Sequence, residues 1–283
     1  MNLAHNPSKI FFLGPKGTFT DRAQLAFCDA FSISDAEKIP VCSISKGFDF
    51  LLKNKDSLIV LPIENSIEGI VRETLDNLIS LDTYDYKILA EHIIPIEQNL
   101  IGFTQNPSEI KTIISHPQAI AQCRRFLNSN FPDVEIKYSN STANAVCSLN
   151  KDDISTVAIG SEFCAQIYDV PLIQKNINDE KNNLTRFVLI GNQYIKKQTP
   201  SKTAITFTTA NTPGALNRIL SIFERYNINM TQIESRPSKK SLGNYTFFIE
   251  IDGHYQDDLV VKSLFEVIQF TQMFKHLGSY STV

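Results

Sequence analysis

The feature that most constrains the fold of this chain is an alternation of short apolar runs with amphipathic segments, from Ile10 to about Gly191. Each run ends at a glycine or a small polar residue, and a segment with the helical spacing of apolar residues follows. The runs are 10–13, 58–61, 110–114, 134–138 and 157–159, and the predicted helices are 21–31, 67–81, 118–127, 143–149 and 162–168. This alternation predicts an α/β domain with mainly parallel strand pairing.

The pattern changes after a polar linker, 193–202, that contains Pro200. Beyond it, the predicted elements are strand, helix, strand, strand, helix and strand, at 203–208, 213–226, 228–235, 243–251, 257–268 and 270–279. This βαββαβ order is that of the ferredoxin-like unit. We therefore expect one α/β domain over 1–192 and a separate ferredoxin-like domain over 203–283.

Composition is typical of a globular protein without a nucleic-acid partner. Hydrophobic residues make up 42% and charged residues 20% of the chain, and the formal net charge is −3. The five cysteines form no close pair and the five histidines have no metal-binding spacing, so we expect reduced thiols and no metal site. Neither a signal peptide nor a membrane-spanning run is recognisable, which favours a cytoplasmic location.

One triplet, Thr185-Arg186-Phe187, places a hydroxyl, a cation and an aromatic ring where a polar run, 178–183, meets an apolar strand, 187–190. The three groups suit a small, flat, anionic ligand. Arginine binds carboxylates, an aromatic ring packs on a flat face, and a hydroxyl can donate to a leaving oxygen. Taken alone, the triplet is more typical of an ordinary strand start with a solvated Arg and a core Phe.

Small polar residues recur where predicted strands end and helices begin. These are Thr18 with Thr20, Asn65 with Ser66, Ser115, Ser141 with Thr142, and Ser161. Each is typical of a helix N-cap, yet ligands of open α/β sheets also bind beyond the carboxyl ends of the strands, near helix N-termini. One terminus contributes only about 0.3–1 kcal/mol to binding an anion, whereas a charge-assisted bond contributes about 1.5–3 kcal/mol. We therefore expect Arg186 to anchor a multiply anionic ligand.

Three segments are more specific than capping requires. The glycine turn 14–19 allows close approach of the backbone to a ligand but lacks the spacing of a phosphate-binding loop. Glu64 lies beside Asn65 and Ser66 at a predicted strand end. His116 lies at a predicted helix start, where a neutral imidazole that forms hydrogen bonds is expected.

Together, five motifs resemble those of prephenate dehydratases, in the same order along the chain. They are GPKGTF at 14–19, PIENSIEG at 62–69, SHPQAIAQC at 115–123, STA at 141–143 and NLTRF at 183–187. The C-terminal part resembles the ACT regulatory domain of these enzymes, at PGAL (213–216) and IESRP (233–237). The resemblance covers nearly the whole chain. No helical mutase domain precedes Ile10, so we expect the monofunctional form rather than a mutase–dehydratase fusion.

The resemblance implies two catalytic lobes, similar to type II periplasmic binding proteins, with the active site in the cleft between them. It implies a carbon–oxygen lyase that converts prephenate to phenylpyruvate, carbon dioxide and water in phenylalanine biosynthesis, without metal or coenzyme. It also implies feedback inhibition by phenylalanine bound to paired ACT domains, and hence a homodimer or homotetramer.

The motifs imply roles for individual residues. The implied catalytic residues are Thr185, Glu64, Asn65 and Ser66, with Thr185 donating to the departing hydroxyl. Substrate-binding roles are implied for Thr18, Ser115, His116, Gln118, Thr142, Arg186 and Phe187. Effector-binding roles are implied for Pro213, Gly214, Ala215, Leu216, Glu234, Ser235 and Arg236. On their strand, Glu234 and Arg236 face the same side, where we expect a surface ion pair.

Two alternatives stay open at this point. A fold does not fix a function, so a two-lobe sensor of an amino acid or organic acid, without turnover, is one. The other is a dehydratase of arogenate, which carries an amino group in place of the keto oxygen. Such a substrate favours an acceptor, such as Glu64 or an amide oxygen, near its side-chain end.

Overall fold

A computed structural model describes residues 3–81, 85–104, 106–237 and 245–283. Within these ranges the strands are β1 (Lys9–Leu13), β2 (Glu37–Val41), β3 (Ser57–Asn65), β4 (Gly69–Ile70), β5 (Lys87–Pro95), β6 (Asn99–Ile101), β7 (Thr112–Ser115), β8 (Glu135–Tyr138), β9 (Thr156–Gly160), β10 (Leu172–Gln174), β11 (Leu184–Gly191), β12 (Lys202–Thr208), β13 (Met230–Pro237), β14 (Tyr245–Asp252) and β15 (Met273–Tyr280). The α-helices are α1 (Phe19–Phe31), α2 (Ile44–Lys53), α3 (Arg72–Ser80), α4 (Pro117–Gln122), α5 (Arg124–Asn130), α6 (Thr142–Cys147), α7 (Glu162–Ile167), α8 (Ala215–Arg225) and α9 (Asp258–Gln269). No helix in these ranges is both long enough and apolar enough to cross a membrane.

The first sheet has the strand order β2-β1-β3-β11-β5, with β4 as a short hairpin partner of β3. Its first three strands are parallel, whereas β11 is antiparallel to both β3 and β5. Because successive residues of a strand point to opposite faces, Ile59 and Leu61 pack with α2 and α3, whereas Leu58 and Val60 pack with α1. Burial on both faces makes β3 and β11 rigid supports for the residues at their ends.

The second sheet has the order β10-β6-β9-β7-β8 and packs against α4 to α7. The chain passes between the two sheets twice, from β5 to β6 and from β10 to β11. The two passages are hydrogen-bonded to each other: Ile96 N donates to Asn183 O at 2.8 Å, and Asn178 Nδ2 donates to Ile96 O at 2.8 Å. Two lobes joined by a double crossing confirm the predicted two-lobe arrangement.

The third sheet, β13-β14-β12-β15, confirms the predicted βαββαβ unit. One face packs on α8 and α9. The other face adds Ala204, Phe248 and Leu277 to the same hydrophobic core as Ile88 and Val188 of the first lobe. The third sheet is therefore packed against the first lobe, with which it shares a hydrophobic core.

The structure differs from the sequence predictions in several places. Strand pairing is mixed rather than mainly parallel, because β11 runs opposite to β3 and β5, and β6 runs opposite to β9 and β10. The helix predicted over 67–81 begins only at Arg72, because Gly69 (φ +79°) turns the chain into β4. The strand predicted over 243–251 is β14; its residues 243 and 244 lie outside the described residues. The limits 1–192, 193–202 and 203–283 stay a prediction, although Ile195 of the linker bridges to Leu3 and packs on the first lobe.

Candidate active site

A cleft of about 540 Å³ lies between the two lobes. Seven of the predicted site residues line it, namely Thr18, Asn65, His116, Gln118, Thr142, Thr185 and Phe187. Among the described residues that line the cleft, none is a lysine or an arginine, and Glu68 is the charged one. A second hollow of about 620 Å³, at the start of α9, contains none of the predicted site residues. The cleft is therefore the candidate active site.

A hydrogen-bonded pair, Asn65 and Thr185, lies at the ends of β3 and β11. Asn65 Nδ2 donates to Thr185 Oγ1 at 2.9 Å and to Asn183 Oδ1 at 2.7 Å. The other end of the amide is fixed as well, because Asn65 Oδ1 accepts from the backbone N–H groups of Ile67 and Glu68, both at 3.0 Å. Since Thr185 Oγ1 accepts from Asn65, its own hydrogen points elsewhere, and it donates to no acceptor among the described residues. That hydrogen is available to a ligand in the cleft.

Strand alternation divides the predicted triplet between two faces of β11. Thr185 and Phe187 face the cleft, whereas Arg186 points to the opposite side, into the junction with the third sheet. There its side chain is 8% exposed, and its guanidinium forms ion pairs with Glu91 and Glu250. Burial acts to lower the pKa of Arg186, but the combined effect of Glu250, Tyr280 and Glu91 outweighs burial, and the pKa is raised. The sequence predicts Arg186 as the anchor of the substrate, but in this structure Arg186 does not reach the cleft.

Three other predicted residues also lie away from the cleft lining. Glu64 Oε2 lies 3.1 Å from Arg186 Nη2, on the same side of the sheet as the ion-pair cluster. Ser66 Oγ accepts from Leu184 N at 2.9 Å and donates to Asn182 O at 3.1 Å, which fixes the start of β11. Ser115 is fully buried, and its hydroxyl donates to Ile159 O at 2.7 Å. In this structure the polar groups of these residues bind neighbouring parts of the protein, and their predicted roles toward a ligand stay predictions.

The helix starts at the cleft combine capping with a place in the cleft lining. Thr18 caps α1 by accepting from Asp21 N at 3.3 Å, while its hydroxyl donates to Pro15 O at 2.9 Å. His116 caps α4, because its Nδ1 accepts from Gln118 N at 3.3 Å. This bond leaves Nε2 of the neutral imidazole as a donor. Thr142 opens α6, just after the capping residue Ser141.

Sequence reasoning missed three residues that line the cleft, namely Glu68, Gln98 and Gln122. Gln122 Nε2 lies 3.4 Å from Glu68 Oε1 and so links the second lobe to the first. Gln98 Nε2 lies 3.4 Å from Gln122 Oε1, and the buried Gln98 Oε1 has no partner among the described residues. A signal for Gln122 was present, because it follows Gln118 by four positions and therefore shares its helix face.

The predicted effector segments lie at the start of α8 and on β13. Gly214, at φ +79°, is the N-cap of α8, and Pro213 before it is exposed. On β13, Glu234 and Arg236 share a face, as predicted. The expected ion pair between them is replaced by one with the first lobe. Arg236 Nε and Nη2 bind the carboxylate of Asp76, on α3, at 2.8 and 3.0 Å. Arg236 therefore connects the predicted effector segment to the first lobe.

Comparison with known proteins agrees with these features. The family model described as prephenate dehydratase matches residues 10–195, and the ACT domain model matches 203–269. A prephenate dehydratase of Methanocaldococcus jannaschii is 41% identical over 280 residues, covering 97% of this chain and 98% of its own length. A bifunctional chorismate mutase/prephenate dehydratase of Aquifex aeolicus is 38% identical over 272 residues, covering 96% of this chain and 73% of its own length.

Among solved structures, a prephenate dehydratase from Arthrobacter aurescens in complex with L-Phe matches with a TM-score of 0.85 and 30% identity. The match covers 96% of this chain and 89% of that one. The fold and the cleft thus define a two-lobed α/β protein with an ACT domain. This chain belongs to the prephenate dehydratase family.

Proposed function

We propose that this protein is a prephenate dehydratase, a carbon–oxygen lyase that converts prephenate to phenylpyruvate, carbon dioxide and water. The observation that carries the proposal is the Thr185 hydroxyl, whose oxygen is held by an oriented amide and whose hydrogen is free to point into a two-lobed cleft. Its place in a chain of the prephenate dehydratase family supports the choice of substrate. The cytoplasmic location expected from the sequence stays a prediction.

For this reaction the protein has two tasks: to position the substrate and to assist departure of the hydroxyl group. The bond from the ring carbon to the departing carboxylate breaks, and its electron pair becomes part of the new aromatic ring. The C–O bond at the opposite ring position breaks at the same time, and the hydroxide gains a proton to leave as water. Because aromatisation supplies the driving force, a hydrogen bond from Thr185 to the leaving oxygen lowers the main remaining barrier. A threonine hydroxyl is too weak an acid to supply the proton unaided.

Neutral donors suit this substrate better than a cation does. One carboxylate loses its charge as it becomes carbon dioxide, so a fixed cation beside it would stabilise the ground state more than the transition state. The described lining offers no lysine or arginine, but it does offer the side chains of His116, Gln118 and Thr142. Phe187, which is 2% exposed, provides an apolar wall for the ring. The retained carboxylate keeps its charge throughout, and we assign its binding to these neutral donors because Arg186 lies outside the cleft lining.

Incubation of the purified full chain with prephenate at neutral pH tests the proposal. We expect phenylpyruvate, measured by its absorbance in alkali, to form well above the rate in a blank without protein. The Thr185→Ala variant serves as the matched control. No product above the blank, together with binding of prephenate, would support a two-lobe sensor without turnover and overturn the proposal.

Arogenate is the rival substrate, and one contact bears on it. Glu64, considered from the sequence as an acceptor for its amino group, pairs with Arg186 outside the cleft lining. The carboxylate in the cleft is that of Glu68, which Gln122 contacts. We expect kcat/KM to be higher for prephenate, and Glu68→Gln to reduce turnover of arogenate more than that of prephenate. A higher kcat/KM for arogenate would reverse the assignment.

We also propose that phenylalanine inhibits the enzyme by binding to paired ACT domains. The related structure from Arthrobacter aurescens is described as a complex with L-Phe, and this chain has an ACT domain. Pairing of ACT domains requires at least a homodimer, and a homotetramer is also compatible. Isothermal titration with phenylalanine, paired with an activity assay, is the test: the absence of both heat and inhibition would exclude this regulation.

A further inference from the structure

A cluster of charged groups is buried where the first lobe meets the ACT domain. At its centre, Arg186 Nη1 binds the two carboxylate oxygens of Glu250 at 2.7 and 2.9 Å and Glu91 Oε2 at 3.0 Å. Arg186 Nη2 donates to Gln232 Oε1 at 2.7 Å. Glu250 and Glu91 are each 1% exposed. Arg186, which lies between Thr185 and Phe187 in the triplet, is therefore bound by side chains of the ACT domain.

Each carboxylate in the cluster is also held by other groups. The Tyr280 hydroxyl donates to Glu250 Oε1 at 2.5 Å, and both residues belong to the ACT domain. Lys202 Nζ and Thr282 Oγ1 bind Glu91 Oε1 at 2.9 and 2.7 Å. Because the partners of Arg186 are themselves fixed, the guanidinium cannot shift unless the ACT strands move with it.

The strand at this point has an irregular register. Thr185 pairs with Asn65 and Arg186 with Glu64, but Phe187 pairs with Pro62, so β3 carries an extra residue between them. Bulges of this kind re-aim side chains and depend on local twist. The direction in which Thr185 points therefore depends on how β11 is held at Arg186.

Stability alone does not account for so many buried charges. Replacement of a buried ion pair by apolar side chains of similar volume is often neutral or stabilising, because desolvation offsets the Coulomb attraction. A positioning role accounts for the arrangement, because Nη1 binds Glu250 and Glu91 while Nη2 binds Gln232, so short charge-assisted bonds hold the guanidinium from several directions.

We propose that Glu250, on the ACT domain, is a positioning residue for the reaction: through Arg186 it fixes β11 so that Thr185 donates into the cleft. The inference rests on the proposed dehydratase activity. The ACT domain is thereby coupled to the Thr185 hydroxyl through a single side chain of the first lobe, that of Arg186. A change in the position of β14 would be transmitted to Thr185 through the Glu250–Arg186 bond.

The test compares two full-length variants at the same domain junction. Glu250→Gln keeps the shape and an acceptor but removes the charge. The control is Lys275→Met: this buried amine donates to Leu78 O and Leu81 O across the junction at 3.3 and 2.7 Å and does not bind Arg186. We expect Glu250→Gln to lower kcat by about 10-fold or more with a much smaller change in KM, as for a small misplacement of a catalytic group. Lys275→Met is expected to lower thermal stability and leave kcat nearly unchanged.

A second measurement separates positioning from general damage. If Glu250 acts through Thr185, then Glu250→Gln should change kcat little in a Thr185→Ala background, because the hydroxyl it positions is gone. Equal losses of kcat in both backgrounds, or equal kcat for Glu250→Gln and Lys275→Met, would overturn the inference. If Glu250→Gln does not fold, Gln232→Leu tests the same link through Arg186 Nη2, with a smaller loss of kcat expected.

Failure of the proposed activity is distinguishable from failure of this inference. If the wild-type chain does not turn over prephenate, the proposed function is wrong. The positioning role is then judged by hydrogen–deuterium exchange in β11. We expect faster exchange of its amides in Glu250→Gln than in Lys275→Met, and equal exchange would overturn it.

Discussion

The direction of one hydroxyl hydrogen is set by a neighbouring amide. Asn65 presents its Nδ2 to Thr185 because its Oδ1 is already occupied by the N–H groups of Ile67 and Glu68. An amide oriented in this way determines that Thr185 accepts from Asn65 and can donate only outward. We therefore expect Asn65 to act on the proposed reaction through Thr185.

Replacement of this amide by a carboxylate tests the orientation. Asn65→Asp keeps an acceptor for the N–H groups of Ile67 and Glu68 but cannot donate to Thr185, whose hydroxyl would instead donate to the new carboxylate. We expect kcat to fall by about 10²-fold or more, the usual size of such catalytic assistance. Steady-state kinetics at neutral pH measures it, with Asn65→Ala as the control that removes both functions. An Asn65→Asp variant with near-normal kcat would contradict the assigned orientation.

At the same scale, the triplet shows what residue types can and cannot predict. Thr185 and Phe187, which the sequence singles out, both line the cleft, and their roles toward a ligand stay predictions. The sequence also suggested Arg186, because an arginine beside them is the obvious partner of an anionic substrate. Strand alternation forbids all three from facing one ligand. The ion-pair partners of Arg186 could not be predicted, because Glu91 and Glu250 are distant in sequence and meet it only through the packing of separate domains.

At the scale of elements, β15 and β5 pack with almost no space between their backbones. A Cβ atom on Gly278 would lie 2.2 Å from Ile88 O, and Gly278 has φ +145°. Only glycine fits both the conformation and the space. This contact sets how closely the ACT sheet approaches the strand next to β11.

Alanine at this position tests the contact. Gly278→Ala should lower the free energy of unfolding by about 1–3 kcal/mol from overpacking, in addition to the strain of its φ. Gly214→Ala is the matched control, because Gly214 also has positive φ (+79°) but a Cβ there would meet nothing within 4 Å. Denaturant unfolding of both variants measures the difference. Equal losses of stability would show that the close approach to Ile88 is unimportant.

Element predictions succeeded where local signals were strong and failed where tertiary pairing decided. Helix α1 was predicted from its capping threonine and apolar spacing. The start of α3 was predicted five residues too early, since Gly69 and Ile70 pair with β3 instead. The antiparallel direction of β11 follows from the return of the chain through the second lobe, which no local pattern encodes.

At the scale of the whole molecule, the junction between the first lobe and the ACT domain carries acid-sensitive groups. Burial, together with the charge of Lys87, lowers the pKa of His276 from 6.5 to about 4. The folded state thus favours the neutral imidazole, and the unfolded chain binds more protons between these two values. Stability is therefore greatest above pH 6.5 and falls as the pH is lowered towards 4.

This linkage predicts a pH effect with a definite sign. Lowering the pH from 7 to 5 should reduce the free energy of unfolding by about 1–2 kcal/mol through His276, at 1.36 kcal/mol per pKa unit. His276→Asn should reduce that loss, leaving the smaller effect of His254, whose pKa is also lowered, chiefly by burial. Denaturant unfolding at a series of pH values measures the slope. A slope unchanged in His276→Asn would refute the linkage.

The central claim is that the Thr185 hydroxyl assists departure of the ring hydroxyl of prephenate. The most direct measurement is kcat for Thr185→Ser and Thr185→Ala with prephenate at neutral pH. We predict that Ser retains most of the activity and that Ala loses about 10²–10⁴-fold, equivalent to roughly 3–5 kcal/mol of activation free energy. Near-normal kcat in Thr185→Ala, or equal losses in both variants, would contradict the account.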